Sequence, residues 1–162
     1  MKTQFHKTWS ILLASVLVVA FAVAPARFAY ADSGGVPNHI FNVSFTKWIT
    51  SYPDMAGVGG GAIGPAAFKG TLLSMSVVGT MEYAEALYHF DGSKHSFDAH
   101  IYATQDDSTG TGVITGRVMG GWLKGATLTG EYNVYRACPI ATPGNGMGTL
   151  CFSGMLHLRR AP

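Results

Sequence analysis

Apolar and polar side chains alternate along most of the chain from residue 39 onward. In the segment 39–49, Phe41, Val43 and Phe45 alternate with polar residues. A period of two is typical of a β-strand that turns one face toward a core and the other toward water. The same pattern predicts further strands, with little helix anywhere, at 68–78, 81–90, 94–105, 111–118, 126–137 and 149–159.

Glycine and proline mark the connections between these strands. Asp91 and Gly92 predict a tight hairpin turn, because both residues tolerate the positive φ that such a turn requires. The segment 51–67 is predicted to be a long loop, since its glycines and prolines disfavour regular structure. Gly116 and Gly130 fall inside predicted strands, where glycine commonly marks a bend or bulge.

Together these features predict an all-β fold. Seven or eight short antiparallel strands with internal glycine bends favour a single antiparallel up-and-down β-barrel. Closing the sheet on itself also removes exposed strand edges. A β-sandwich is the alternative.

The N-terminal segment predicts export. Residues 1–31 combine a basic start, an apolar run and an Ala-Tyr-Ala cleavage site, which is typical of a secretory signal peptide. Residues 32–38 are then a flexible start and 39–160 the barrel domain. The expected location is secreted, periplasmic or extracellular, and no later apolar run is long enough to span a membrane.

Removing this segment changes the charge balance. Three of the eleven Lys and Arg residues lie in it, which leaves eight against nine Asp and Glu residues. A near-neutral domain without clustered basic residues lacks the electrostatic footprint of nucleic-acid binding. Nucleic acid is therefore not an expected partner.

Cys138 and Cys151 are the two cysteines of the chain. Exported proteins meet an oxidising environment, and the spacing of the pair matches neither a C-x-x-C redox motif nor a zinc site. We therefore predict a structural disulfide, which would stabilise the fold by roughly 3 kcal/mol in the chain-entropy model.

Two strands flanking the predicted turn carry the candidate catalytic pair. Glu85 and His100 fall on the same face, where a carboxylate beside an imidazole could act as an acid–base pair. The alternative is a solvated outer face with cross-strand charge pairs. His89 and His100 could also be considered metal ligands, but His95 is predicted on the opposite face, so no metal or other cofactor is expected.

The opposite, apolar face carries the candidate ligand-binding residues. These are aromatic side chains at inward positions, with Trp122 in a loop at the end of the barrel: Tyr88, Phe90, Phe97, Trp122 and Tyr132. A barrel of about eight strands can be filled by side chains or can hold one small ligand. In the second case the tyrosine hydroxyls would orient a bound molecule.

Several segments resemble small bacterial proteins of the allene-oxide-cyclase-like, dirigent-like barrel class. They are the first strand with its trailing Trp48, the F-x-G start at Phe68, EYAEALYHF–DG at 82–92 and GWLKGATLTGEY at 121–132. The resemblance covers roughly 41–158 and implies an eight-stranded antiparallel barrel with an apolar cavity, sometimes used to cyclise a hydrophobic intermediate. The cysteine pair and the glycine-rich segment after Tyr52 depart from that pattern, and no catalytic residue of those enzymes matches a position here.

Three functions follow in order of preference. The first is binding of a small hydrophobic molecule in an aromatic-lined interior. The second is a cofactor-independent cyclase or isomerase in which Glu85 or a tyrosine carries the proton. The third is a structural or cell-surface interaction module with a filled core. A homo-oligomer is compatible with each of them.

Overall fold

The computed structural model describes residues 39–138 and 150–160. The regular structure in them is β, and they contain no helix long and apolar enough to cross a membrane. The predicted signal peptide, the predicted flexible start and the segment 139–149 lie outside the described residues. The strands are β1 (Ile40–Ser51), β2 (Asp54–Gly61), β3 (Ala66–Val78), β4 (Met81–Gly92), β5 (Ser96–Asp106), β6 (Thr111–Gly121), β7 (Thr127–Tyr135) and β8 (Cys151–Arg159).

The eight strands form a closed antiparallel barrel in up-and-down order. Each strand pairs with its neighbours in sequence, and β1 closes the barrel by pairing with β8 from Ile40–Arg159 to Trp48–Cys151. The predicted all-β barrel is confirmed, and the sandwich alternative is wrong. Closure leaves every strand with two partners, so that the backbone hydrogen bonds are satisfied within the sheet.

The strand β2 lies within the segment predicted to be a long loop, and that prediction is wrong. At Gly57 and Gly59, atoms of other strands, including large rings, lie where a side chain would lie. A Cβ atom at Gly57 would lie 3.1 Å from the Phe68 ring, and one at Gly59 would lie 3.0 Å from the Phe90 ring. The low intrinsic β-propensity of glycine is therefore overridden by tertiary packing.

The hairpin between β4 and β5 is also wider than predicted. Asp91 pairs with Ser96, so Gly92 ends β4 and the connection continues through 93–95. The predicted hairpin at Asp91–Gly92 is therefore present, with a loop of four residues and not two. The side chains nevertheless keep their predicted faces, because Phe90 pairs directly with Phe97 and the register differs from the tight-turn register by an even number of residues.

Alternate side chains of all eight strands fill the barrel interior. The end formed by the start of β1 and the end of β6 is closed by aromatic packing. Trp122 stacks on His95 with ring centroids 4.4 Å apart and meets Phe41 edge-on at 4.9 Å. We call this the Trp122 end. Ile49, near the end of β1, lies at the opposite end of the barrel.

A disulfide joins Cys138 to Cys151 at the start of β8, with their Cα atoms 5.4 Å apart. Cys151 is fully buried. The predicted bridge is therefore present, and it is compatible with an oxidising, extracellular compartment.

The role of the β2 glycines gives a stability prediction. Replacing Gly59 with alanine is expected to lower the free energy of unfolding by about 2 kcal/mol, because the new methyl group would crowd the Phe90 ring at 3.0 Å. The matched control is Gly60→Ala, whose Cβ would meet only the Ser44 hydroxyl at 3.2 Å. Urea unfolding followed by tryptophan fluorescence measures both variants. Equal stability of the two would show that β2 has no close contact with the core rings.

Candidate functional site

The middle of the barrel is tightly filled by aromatic rings. Phe90 stacks on Phe97 with centroids 4.9 Å apart, and Phe68 meets the rings of Phe90 and Tyr88 edge-on at 5.0 and 4.9 Å. Phe90 and Phe97 are completely buried in this cluster. Of the predicted ligand-binding residues, these two therefore lie in packed core, and Trp122 packs at the closed end.

A small cavity remains between this cluster and the opposite end of the barrel. It measures about 60 Å³, and Tyr88 and Tyr132 are the predicted ligand-binding residues that line it. The cavity reaches the surface beside Tyr52, a side chain that is 70% exposed. We call this space the Lys47 cavity, and the residues that line its inner part are Lys47, Met55, Glu82, Tyr88, Tyr132 and Phe152.

Lys47 is the charged group at the base of the cavity. It lies on β1, paired with Gly57 of β2 and Phe152 of β8, and its side chain points into the barrel. Only 7% of the residue is exposed. Inward burial of a lysine is rare in proteins unless the charge is paired or used.

Aromatic rings and weak acceptors surround the Lys47 ammonium. Nζ donates a hydrogen bond to Tyr88 Oη at 2.5 Å and contacts Met55 Sδ at 3.8 Å. It lies 4.9 Å from the centroid of the Tyr88 ring, 5.0 Å from that of Phe152 and 5.7 Å from that of Tyr132. These distances are within the range of cation–π attraction. The cage stabilises a cation without neutralising it.

The electrostatic balance of this lysine is unusual. Within residues 39–138 and 150–160, no carboxylate forms an ion pair with it. Burial lowers the Lys47 pKa from 10.5 to about 8, and the charge of Glu82 offsets part of that effect. A fraction of the amine is therefore unprotonated near neutral pH, and the cavity can present either an ammonium or a nucleophilic amine.

A second polar group of side chains lies beside the cage. Tyr132 Oη donates to Gln105 Oε1 at 3.2 Å, and Gln105 Nε2 donates to Asp107 Oδ1 at 2.6 Å. Burial and the nearby Asp107 raise the pKa of Glu82, although Lys47 opposes this. Burial also raises the pKa of the Tyr88 phenol, with a smaller contribution from Tyr132, so that Tyr88 stays protonated beside the amine.

Apolar side chains lie at the opening, exposed at Ile49, Tyr52 and Met75 and partly buried at Leu72. Pairing between β2 and β3 ends at Asp54 and Thr71, whereas β3 continues to Val78. A bulge at the residue after Leu72 shifts the alternation, so that Met75 pairs with the inward-facing Ala84. Among the described strands, residues 74–78 of β3 thus pair with β4 and not with β2. We call the following residues the apolar rim: Ile49, Tyr52, Leu72 and Met75.

Glu85 and His100 lie together, as predicted, but on the outer wall. Glu85 Oε1 is 2.7 Å from His100 Nε2, and both side chains are partly exposed. A similar pair, His89 and Asp98, lies beside them at 2.7 Å. Because strand alternation directs all four outward, a molecule in the barrel interior cannot reach them. Catalysis by Glu85 and His100 stays a prediction for a substrate on the outer surface.

Other features of the wall are less specific. A wider depression of about 520 Å³ lies over β5 to β8 and is lined by outward side chains such as Val113 and Glu131. It holds no buried charged group. Within the described part of the chain, no group of three His, Cys, Asp or Glu side chains is placed to hold a metal ion.

Lys47 was not among the residues that sequence analysis selected, although its position carried a signal. It continues the inward series Phe41, Val43, Phe45 by the same step of two. A lysine near the end of a strand is usually exposed. The alternation alone therefore did not show whether the Lys47 side chain is buried inside the barrel or reaches solvent where the apolar series ends.

Comparison of the chain with protein-family models, with curated proteins and with solved structures finds no significant match. The fold and the site themselves define a closed eight-stranded antiparallel barrel with a buried lysine in a small cavity, and among the described residues no carboxylate forms an ion pair with that lysine. The resemblance to the allene-oxide-cyclase-like barrels stays a prediction.

Proposed function

We propose that this protein binds a small amphipathic molecule at the open end of the barrel. The oxygen-bearing head group would lie in the Lys47 cavity, and the apolar body would lie against the apolar rim. The observation that carries this proposal is the buried Lys47 ammonium, which has aromatic neighbours but no carboxylate partner in the described residues. A buried charge without a counter-charge is costly, and an oxygen acceptor from a ligand would offset that cost.

The cavity volume limits which part of a ligand can enter. At about 60 Å³ it is far below the ~300 Å³ at which pockets for drug-sized molecules begin. It can hold a group of a few atoms, such as a carboxylate or a carbonyl. The remainder of the molecule must lie outside, where Tyr52 and Met75 provide an exposed apolar surface. This differs from the fully enclosed hydrophobic ligand that the aromatic pattern predicts.

The donors inside the cavity support an oxygen head group. Tyr88 and Met55 occupy only part of the hydrogen-bonding capacity of the Lys47 ammonium, so a bound oxygen can accept from it. The Tyr88 phenol is protonated, and it is a second donor for the same oxygen. Two convergent donors in a buried site favour an oxygen acceptor over an apolar group.

Export stays part of the proposal. The Cys138–Cys151 bridge is compatible with a ligand that the protein meets outside the cytoplasm.

The structural-module alternative is supported by the filled middle of the barrel, where Phe68, Phe90 and Phe97 leave no space. The two functions differ in whether the Lys47 cavity takes up a molecule.

Calorimetric titration with straight-chain carboxylates from butyrate to decanoate tests the proposal. Each added methylene that packs on the rim is expected to tighten binding up to about fourfold. We expect Lys47→Met to weaken octanoate binding at least tenfold, because the charged donor is lost. Lys69→Met, the same change at an exposed outer position of β3, should leave it unchanged.

The pH dependence gives an independent check. Octanoate affinity should fall as the pH rises above about 8, since Lys47 then loses its proton. Equal affinity of wild type and Lys47→Met would overturn the proposed site. No binding of any carboxylate by a folded protein would favour the structural module.

A further inference from the structure

We propose that Lys47 is a nucleophile that forms an imine with small aldehydes entering the cavity. This inference rests on the proposed function, since it uses the same cavity and the same apolar rim. It goes further in two respects. The ligand is a reactive carbonyl compound with an apolar tail, and it binds through a reversible covalent bond to Lys47.

The geometry places the nitrogen where a carbonyl carbon can reach it. Lys47 Nζ lies at the inner end of a cavity that opens to solution beside Tyr52. The contacts of Nζ are one phenol oxygen, one thioether and the faces of three rings. None of these is a carboxylate that would hold the amine protonated. An amine in such surroundings is unprotonated near neutral pH far more often than an exposed lysine.

Tyr88 contacts the Lys47 amine and Glu82 lines the same cavity, so these two groups are the candidates to move the protons. Tyr88 Oη is 2.5 Å from Nζ and, among the described residues, has no other hydrogen-bond partner. It is therefore close to the position that the carbonyl oxygen would take during attack. Glu82 lines the same cavity, and its raised pKa makes it a better proton donor near neutral pH than an ordinary glutamate.

The reaction balances without an oxidant or reductant. The lone pair of the neutral Lys47 amine attacks the carbonyl carbon, a C–N bond forms, and the carbonyl π electrons move to oxygen. That oxygen takes a proton from Tyr88, which regains one from the nitrogen, and a carbinolamine results. The hydroxyl group then leaves as water with a proton from Glu82, and the nitrogen lone pair forms the C=N bond. Glu82 regains a proton from solvent, and the product is the protonated imine.

The aromatic cage favours the product. A protonated imine is a more diffuse cation than an ammonium and is less strongly hydrated, so burial costs it less. The rings of Tyr88, Phe152 and Tyr132, which surround Nζ at 4.9 to 5.7 Å, stabilise either cation. A cavity of about 60 Å³ accommodates the single carbon substituent of an aldehyde better than the two of a ketone.

Absorbance spectroscopy with cinnamaldehyde is the first test. The purified full-length protein is mixed with the aldehyde at pH 7.5, and a protonated imine would absorb at longer wavelength than the free aldehyde. We expect a saturable red-shifted band in wild type and in Lys69→Met, and none in Lys47→Met. A band of equal size in Lys47→Met would overturn the inference.

Reductive trapping locates the bond. Octanal and cyanoborohydride would add one octyl group, and peptide mapping would find it on Lys47 at least tenfold faster than on Lys69 or Lys94. Tyr88→Phe should slow trapping about tenfold, and it should also weaken octanoate binding, because the same phenol donates to the carboxylate head group. Modification of Lys47 at or below the rate of Lys69, with no absorbance band, would overturn imine formation. If octanoate still binds, the proposed function stands without it; if octanoate fails as well, both are overturned.

Discussion

Replacing Lys47 with methionine is expected to raise the free energy of unfolding at pH 7 by about 2 kcal/mol. The Lys47 pKa is about 8 in the folded protein against an ordinary 10.5, a difference that corresponds to roughly 3 kcal/mol of cost for the buried charged form. Methionine is apolar and of similar length. The substitution also removes the hydrogen bond to Tyr88, which lowers the expected stabilisation by roughly 1 kcal/mol.

The sign of the effect depends on pH. Below about 8 the lysine is protonated in both states, and the folded state carries the full cost of the buried charge. Between about 8 and 10.5 the folded state releases its proton while the unfolded state keeps it, so wild-type stability rises with pH. The advantage of Lys47→Met should therefore be largest below pH 8 and should shrink to little by pH 10.5.

Urea unfolding of wild type, Lys47→Met and Lys69→Met at pH 7, 8.5 and 10 measures this effect. Lys69 is exposed on β3, so its substitution should change stability little at any of these values. A Lys47→Met variant that is less stable than wild type at pH 7 would show that the contacts of the ammonium outweigh the cost of burying it. An advantage that persists unchanged at pH 10 would show that packing, not charge, is responsible.

A lysine that destabilises its own fold is difficult to explain by structure alone. An apolar residue on β1 would fill the same space beside Tyr88 and Phe152 without the desolvation cost. Retaining a costly group is typical of a residue with a chemical or binding role. The stability measurement thus bears on the function as well as on the fold.

Removal of the disulfide is expected to lower the free energy of unfolding by about 3 kcal/mol. The bridge joins residues 13 positions apart, and closing a loop of that size removes entropy from the unfolded chain. Replacing Cys138 and Cys151 together with alanine avoids placing a hydroxyl group at the fully buried Cys151 position. Denaturant unfolding with and without dithiothreitol measures the change.

The double variant is its own control. Dithiothreitol should destabilise wild type by about the same amount as the double substitution, and it should leave the double variant unchanged. If reduction does not alter the wild-type unfolding midpoint, the bridge contributes nothing to stability. In that case the stability of the fold would not depend on an oxidising compartment.

The alternation of apolar and polar residues determined the all-β fold class and the face of the sheet on which most side chains lie. It placed Tyr88, Phe90 and Phe97 on one face and Glu85 with His100 on the other, because side chains in a strand alternate whatever the sheet does. These faces are the same for a loop of two or four residues at Asp91–Gly92, since an even change in register preserves them. The cysteine spacing likewise sufficed for the bridge.

Only the tertiary structure decided that residues 54–61 form the strand β2 and that Lys47 is buried among aromatic rings. β2 pairs with β1 and β3, and Phe68 and Phe90, from β3 and β4, lie beside its Gly57 and Gly59. Lys47 follows the inward alternation of β1, but its cage comes from Tyr88, 41 residues away, and from rings on β7 and β8. Local pattern assigns the face of a side chain, whereas its burial, its pKa and its chemistry depend on residues that only barrel closure brings together.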